Sequence, residues 1–255
     1  EQAIKSWTLL PGMEKKIIIV GNDAGTKEIC EKYNLIHEPT VKNLVGIPYL
    51  HDMLEIGAKY ADEDDYLFWT NSDMIYYNDL IETILNFNDI RKKMELKKFS
   101  LIGRRHDWFN PIILDDLSKD KFINNINLNP KTTVCITKIE SDKYEIAEHQ
   151  ATGIDYVIHS PTTFVNNINK ELVIAGTMHD MILVGTSLYN NYFTCNISDT
   201  NFCIHQNHVL KNQHHHNNRP NSHILINNNQ KFGNRNMMKK ISDAPYKSIR
   251  INNKI

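Results

Sequence analysis

The sequence predicts an α/β domain built on a mixed, mainly parallel sheet with helices on both faces. Two observations carry that expectation. Short β-branched or aromatic runs alternate with amphipathic segments over residues 1–102, and several of the runs end in turn-forming Gly, Asn or Asp. A chain of 255 residues suffices for one such domain with a sizeable core, and no repeat or clear linker divides it, so a single domain over 1–255 is expected.

The elements follow in order. Residues 1–7 place Ala3, Ile4 and Trp7 at three- and four-residue spacing, the end of an amphipathic helix. Ile17, Ile18, Ile19 and Val20 form a β-branched strand, stopped by Gly21-Asn22-Asp23-Ala24-Gly25. Thr26 is placed to cap a helix through Cys30 and Tyr33. A short strand over 35–37 ends at Glu38-Pro39. Pro48 sits where a helix can begin, with Leu50, Met53, Leu54, Gly57 and Ala58 as its apolar face. After the acidic cluster Asp62-Glu63-Asp64-Asp65, the strand Tyr66-Leu67-Phe68-Trp69 runs into Asn71-Ser72-Asp73. A helix over 79–87 and a strand over 100–102 lead to Gly103-Arg104-Arg105. The basic run Arg91-Lys92-Lys93, with Lys97 and Lys98, reads as a solvated face. The second half supplies strands over 154–158, 193–196 and 202–204 and a helix over 180–189. The polar tail supplies helices from Ser222 and over 232–239.

Hydrophobic content of 41% and charged content of 23% are ordinary for a soluble globular protein. A formal net charge of -1 supplies no basic field, so no nucleic-acid partner is expected. Cys30, Cys135, Cys195 and Cys203 form no CxxC pair and read as reduced thiols, which points to a cytoplasmic setting. No apolar run approaches the roughly 20 residues of a membrane span. The chain opens at Glu1, which reads as a missing start.

Asp73 is the first candidate for chemistry. In parallel α/β sheets ligands sit beyond the carboxyl ends of the strands, and a carboxylate there can hold a hard divalent ion that in turn binds a diphosphate. Asn-Ser-Asp also makes a good Asx-turn. His205 and His208 end an apolar strand and are metal-ligand candidates, against the alternative of a core hydrogen-bonder. His214-His215-His216, in an Asn-rich stretch, reads as a solvated loop. Asp180 opens an apolar helix, either as an acid favoured by the helix dipole or as a general base. Arg104 and Arg105 suit a phosphate or a sugar, although Arg105 has Asp107 as an alternative partner. The turn over 43–48, containing Gly46, and Gly153-Ile154-Asp155-Tyr156 are placed to line a pocket. Residues 21–25 lack both the P-loop and the G-x-G-x-x-G pattern, which argues against a P-loop NTPase or a Rossmann dehydrogenase.

The ordered set resembles GT-A-type glycosyltransferases of the nucleotide-diphospho-sugar transferase group. It comprises Gln2-Ala3-Ile4-Lys5-Ser6-Trp7, the strand and turn over 17–25, Asn43-Leu44-Val45-Gly46-Ile47-Pro48, Asn71-Ser72-Asp73-Met74-Ile75, Gly103-Arg104-Arg105, Gly153-Ile154-Asp155-Tyr156, His179-Asp180 and His205-Gln206-Asn207-His208. The resemblance implies a GT-A-like, Rossmann-related fold and transfer of a hexose from a nucleotide sugar, by family expectation a UDP-hexose, to a glycan or glycoprotein acceptor. It implies Mn²⁺ or Mg²⁺ between the diphosphate and Asp73, which matches the last acid of the family's DxD motif, with His208 or His205 completing the site and His208 preferred. It further implies Asn71, Ser72, Arg104, Arg105 and Gly46 at the donor, Asp155, Tyr156 and His179 at the acceptor, and Asp180 as base. Whether transfer inverts or retains the anomeric carbon stays open. Two departures stand out: Asn71 replaces the motif's first acid, and the family's first strand would lie upstream of residue 1. The Asn-rich composition resembles that of giant-virus proteins, for which the setting would be the host cytoplasm. The alternatives are a nucleotidyltransferase, disfavoured because residues 21–25 carry no Lys or Arg, and an idle glycan-binding domain, favoured by Asn71.

Overall fold

The computed structural model describes residues 1–108, 146–148, 153–174, 178–206, 221–233 and 237–249. The first half contains α1 (Gln2–Leu9), β1 (Ile18–Val20), α2 (Thr26–Tyr33), β2 (Ile36–Glu38), β3 (Asn43–Leu44), β4 (Ile47–Pro48), α3 (Leu50–Ala58), β5 (Leu67–Thr70), β6 (Met74–Tyr76), α4 (Asn78–Lys93), β7 (Phe99–Ile102) and β8 (His106–Trp108). There follow β9 (Ile146–Glu148), β10 (Tyr156–His159), α5 (His179–Tyr189), β11 (Phe193–Asn196), β12 (Cys203–Gln206), α6 (Ser222–Gln230) and β13 (Tyr246–Lys247).

The fold is mixed α/β. Its main sheet has the order β13-β11-β7-β10-β5. Strands β13, β11 and β7 are parallel, and β5 shares their direction because β10 is antiparallel to both β7 and β5. A second sheet, β6-β12-β8-β9, starts where β5 ends; β1 and β2 form a separate parallel pair, and β3–β4 a hairpin.

The period-2 alternation of strand side chains sorts two cores. Phe99, Leu101, Tyr156 and Ile158 face one side, with Leu80, Ile84 and Phe87 of α4. Ile102, Val157 and Trp69 face the other, with Leu50 and Leu54 of α3 and Ile182, Leu183 and Val184 of α5. Each such fully buried aliphatic side chain contributes roughly 1.5–3 kcal/mol, so residues of β7 and β10 anchor both layers at once.

Several expectations need correction. The residue capping α2 is Gly25, in the left-handed region with φ 88°, and Thr26 is already helical. Pro48 closes the β3–β4 hairpin, and α3 starts after Tyr49. No helix forms in the described part of 232–239; residue 237 onward runs against α5 instead, with the Lys239 amide donating to the Met181 carbonyl at 3.2 Å. Helix α4 continues through the basic run, and Arg91 is buried at 6% exposure. Its guanidinium donates to the Asp64 and Glu63 carbonyls and lies over the Tyr66 and Phe99 rings, about 5 Å away, the reach of a cation–π contact. Lys92 and Lys93 are exposed, as expected of a solvated face.

Candidate functional site

Turns at one edge of the main sheet carry the candidate residues. Asn71, Ser72 and Asp73 follow the carboxyl end of β5, and Gly103, Arg104 and Arg105 follow that of β7. Asp155 precedes β10, whose opposite direction brings its start to the same edge. Strand β12 then crosses this edge between β6 and β8, setting His205 opposite Met74 on one side and Asp107 on the other.

This register produces a continuous chain of charged and polar groups. His205 Nε2 lies 3.1 Å from Asp73 Oδ2, and His205 Nδ1 lies 3.3 Å from Asp107 Oδ1. The Arg105 guanidinium donates from Nε to Asp107 Oδ1 at 2.8 Å and from its other end to Asp155 Oδ2. Asn71 donates through Nδ2 to Asp155 Oδ1 at 2.7 Å, and its backbone amide donates to the Asp155 carbonyl at 3.0 Å. The chain thus runs Asp73, His205, Asp107, Arg105, Asp155, Asn71, and all but the exposed flank at Ser72 is at least partly buried.

Electrostatics follow from that order. Burial alone would lower the His205 imidazole, but hydrogen bonding to Asp107 and Asp73 outweighs both that and the nearby Arg105 cation, raising it to about 9. Burial likewise works against the Arg105 charge, and the Asp155 and Asp107 carboxylates overcome it, so the guanidinium stays ionised. Asn71 also gains a physical reason: an acid in its place would set a second carboxylate against Asp155 at hydrogen-bonding distance.

The Asp73–His205 separation is that of a hydrogen bond and also that of two neighbouring ligands on a divalent ion. Neighbouring ligands held at about 2.1 Å from an octahedral ion stand about 3 Å apart, and the observed oxygen–nitrogen separation is 3.1 Å. One carboxylate oxygen with one imidazole nitrogen is a donor set that first-row ions such as Mn²⁺ accept. His208, the preferred histidine from the sequence, lies outside the described residues, as do His214, His215 and His216.

Asp180 lies at the start of α5, where Oδ2 accepts the Ile154 amide at 3.2 Å and Oδ1 accepts the Met181 amide at 2.9 Å. The first bond ties α5 to the turn that presents Asp155. His179 precedes it and meets the Trp69 ring edge-on at 5.9 Å. The Arg104 amide donates to Ser198 Oγ at 2.9 Å, which fixes the turn after β7 to the turn after β11. Gly46 has φ 86° in the β3–β4 turn and donates its amide to Asn43 Oδ1 at 3.1 Å; the neighbouring strand end at Tyr49 bridges Val173.

Tyr156 corrects the sequence expectation of an acceptor contact. It is 0% exposed, packs edge-on against Phe68 and Tyr76, and takes a 2.8 Å hydrogen bond from Asn201 at its hydroxyl. The alternation that sends Asp155 toward the edge sends the next side chain into the core. Its phenol is pushed well above the ordinary value by burial.

Sequence reading gave Asp107 no role beyond partnering Arg105. Its strand is short and rich in charge, which propensity disfavours, and only the β12 register reveals its contact with His205. A further group, His51, Asp52 and Glu55 on α3, brings ligand atoms within 4.8 Å of one another. Asp52 pairs there with Lys42 and His51 with Glu55, an arrangement that helical i, i+4 spacing explains without an ion. A shallow cleft bounded by Lys15, Lys16, Tyr33 and Ile36 shares no residue with the Asp73–Asp155 chain. No helix among the described residues is long and apolar enough to cross a membrane. No protein-family model matches this sequence, and no curated protein matches it.

Proposed function

We propose that this chain is a metal-dependent glycosyltransferase with a GT-A-like fold, moving a hexose from a nucleotide sugar such as a UDP-hexose to a hydroxyl of a glycan or glycoprotein acceptor. The observation that carries the reading is the Asp73–His205 pair just beyond the carboxyl end of β5 in a mixed sheet. Open α/β sheets bind nucleotides beyond the carboxyl ends of their strands. Asp73 and His205 would hold Mn²⁺ or Mg²⁺, which supplies Lewis-acid stabilisation of the departing diphosphate. Asp180, tied to the Asp155 turn, is the general base in this reading. His179 stands beside it for the acceptor, and Arg104 with Arg105 borders the donor. Asp155 serves by fixing Arg105 and Asn71. The buried free thiols of Cys30, Cys195 and Cys203 support a reducing, cytoplasmic setting.

The test is hydrolysis or transfer of a UDP-hexose with and without Mn²⁺. Activity is expected only with the ion and is expected to vanish in Asp73→Ala; full activity of that variant, or in the presence of chelator, would sink the proposal. Asn71 favours a second reading, a domain that binds glycans without catalysis. Calorimetry with UDP and Mn²⁺ separates the two, since metal-dependent UDP binding belongs only to the transferase.

A further inference from the structure

The turn that presents Asp73 is anchored at both ends. At its start Asn71 donates twice to one residue, from its backbone amide to the Asp155 carbonyl at 3.0 Å and from Nδ2 to Asp155 Oδ1 at 2.7 Å. The turn closes where the Met74 amide donates to the Asn71 carbonyl at 3.4 Å. At its end Met74 is fully buried, its carbonyl accepts the Trp7 indole N–H at 2.7 Å, and it is paired opposite His205 on β12. Between these anchors Ser72 is exposed and Asp73 partly so. The rear anchor combines burial, a backbone carbonyl and strand register, whereas the front anchor rests on one residue, Asp155. Its side chain is nearly buried, and its second oxygen takes the Arg105 guanidinium. Both carboxylate oxygens are thus engaged within the protein, which suits a support rather than a ligand. The same carboxylate constrains its neighbour: Oδ1 needs a donor at position 71, and a second carboxylate 2.7 Å away would be repelled in a partly buried site.

We infer that Asp155 is a positioning residue that holds Asn71, and through it the turn carrying Asp73, in place for the metal ion and the donor, and that its charge is the reason position 71 carries an amide. This inference rests on the transferase reading above. A turn ordered before its ligand arrives spares binding the cost of ordering it. Asn71 then acts through its bond to Asp155, and the alternative role, direct contact of Asn71 with the donor, makes the opposite prediction when the two residues are exchanged.

The experiment uses the full chain and measures UDP affinity with Mn²⁺ by calorimetry, with urea denaturation as the check on folding. Wild type is compared with Asn71→Asp and with the exchanged pair Asn71→Asp/Asp155→Asn. The exchange rebuilds the bond in reverse: the new amide at 155 donates to the new acid at 71 and keeps an oxygen for Arg105. Asn71→Asp alone is expected to bind UDP about 10–100-fold more weakly, the usual cost of disturbing a group behind a metal ligand. The exchanged pair is expected to recover most of that loss, a non-additivity that two independent residues would not show. A wild type that binds no UDP with Mn²⁺ overturns the transferase reading and this inference with it. Where wild type binds, an Asn71→Asp variant as tight as wild type or tighter overturns the inference alone. So does a folded exchanged pair that binds no better than Asn71→Asp, because Asn71 would then touch the ligand itself. Should Asn71→Asp not fold, the exchanged pair decides against wild type directly: folding with near-wild-type affinity upholds the inference, and failure of either overturns it.

Discussion

Asp180 carries two distinct loads that one substitution separates. Its oxygens accept the Ile154 and Met181 amides, so part of its value is structural. Asp180→Asn keeps one acceptor oxygen and the side-chain shape while removing basicity. Donor binding with Mn²⁺ is therefore expected to survive and transfer to fall about 10²–10⁴-fold, measured as kcat at saturating donor; unchanged transfer would remove Asp180 as the base. Gly103 poses a sharper steric case on the same edge. A Cβ there would meet the Tyr156 hydroxyl at 2.0 Å and its ring carbon at 2.9 Å, and the buried ring, bonded to Asn201, has little room to yield. Gly103→Ala is expected to cost about 1–3 kcal/mol in urea denaturation.

At the scale of elements, α5 shows packing overriding propensity. Gly185 lies mid-helix, where replacement by Ala would ordinarily stabilise by about 1 kcal/mol. Here an added Cβ would stand 1.7 Å from the Met237 carbonyl oxygen, because the 237–240 segment runs against the helix backbone and bonds Met181. Overpacking costs about 1–3 kcal/mol or more, so Gly185→Ala is expected to lower the urea midpoint; a raised midpoint would show that the 237–240 segment moves away easily. The same contact accounts for the absence of helix in the described part of 232–239: local pattern records neither the close approach nor the amide lost to Met181. Elements whose patterns are self-contained were legible. Strand β11 matches its expected bounds, β5 is shifted by one residue, and β7 and α5 each begin one residue earlier than expected. Strands β6 and β8 were not legible, since each is short and gains its identity from pairing with β12. The site divides along the same line. Asp73, Arg105, Asp155 and His205 were marked by their places beside strands, but the His205–Asp107 contact depends on a register between distant segments. Arg91 was misread because a basic run does not reveal which of its members turns inward against Tyr66 and Phe99.

Over the whole molecule, two histidines bend the pH dependence of stability in opposite directions. His159 is fully buried, with Nδ1 bonded to the Ser160 carbonyl at 2.8 Å and the ring against Phe164. Burial lowers its value from 6.5 to about 4, only partly opposed by that bond. Between these values the unfolded chain takes up a proton that the folded one refuses, so stability falls with acidification, by about 3 kcal/mol in total. His205 behaves oppositely. Facing Asp73 and Asp107, with Arg105 nearby, it stays protonated in the fold up to about 9, so its contribution is complete below 6.5 and is lost as pH rises through 9. The two limbs meet near pH 6.5, where the metal-free protein is expected to resist urea best. His159→Asn, which keeps a donor for the Ser160 carbonyl but does not titrate, should flatten the acid limb alone. Saturating Mn²⁺ should act on the other limb, because an ion at Nε2 replaces the proton and its binding strengthens as that proton becomes easier to remove. Urea midpoints recorded from pH 4.5 to 9.5 with and without Mn²⁺ check both expectations. An alkaline limb that declines equally in the two series would mean that the ion does not bind at His205.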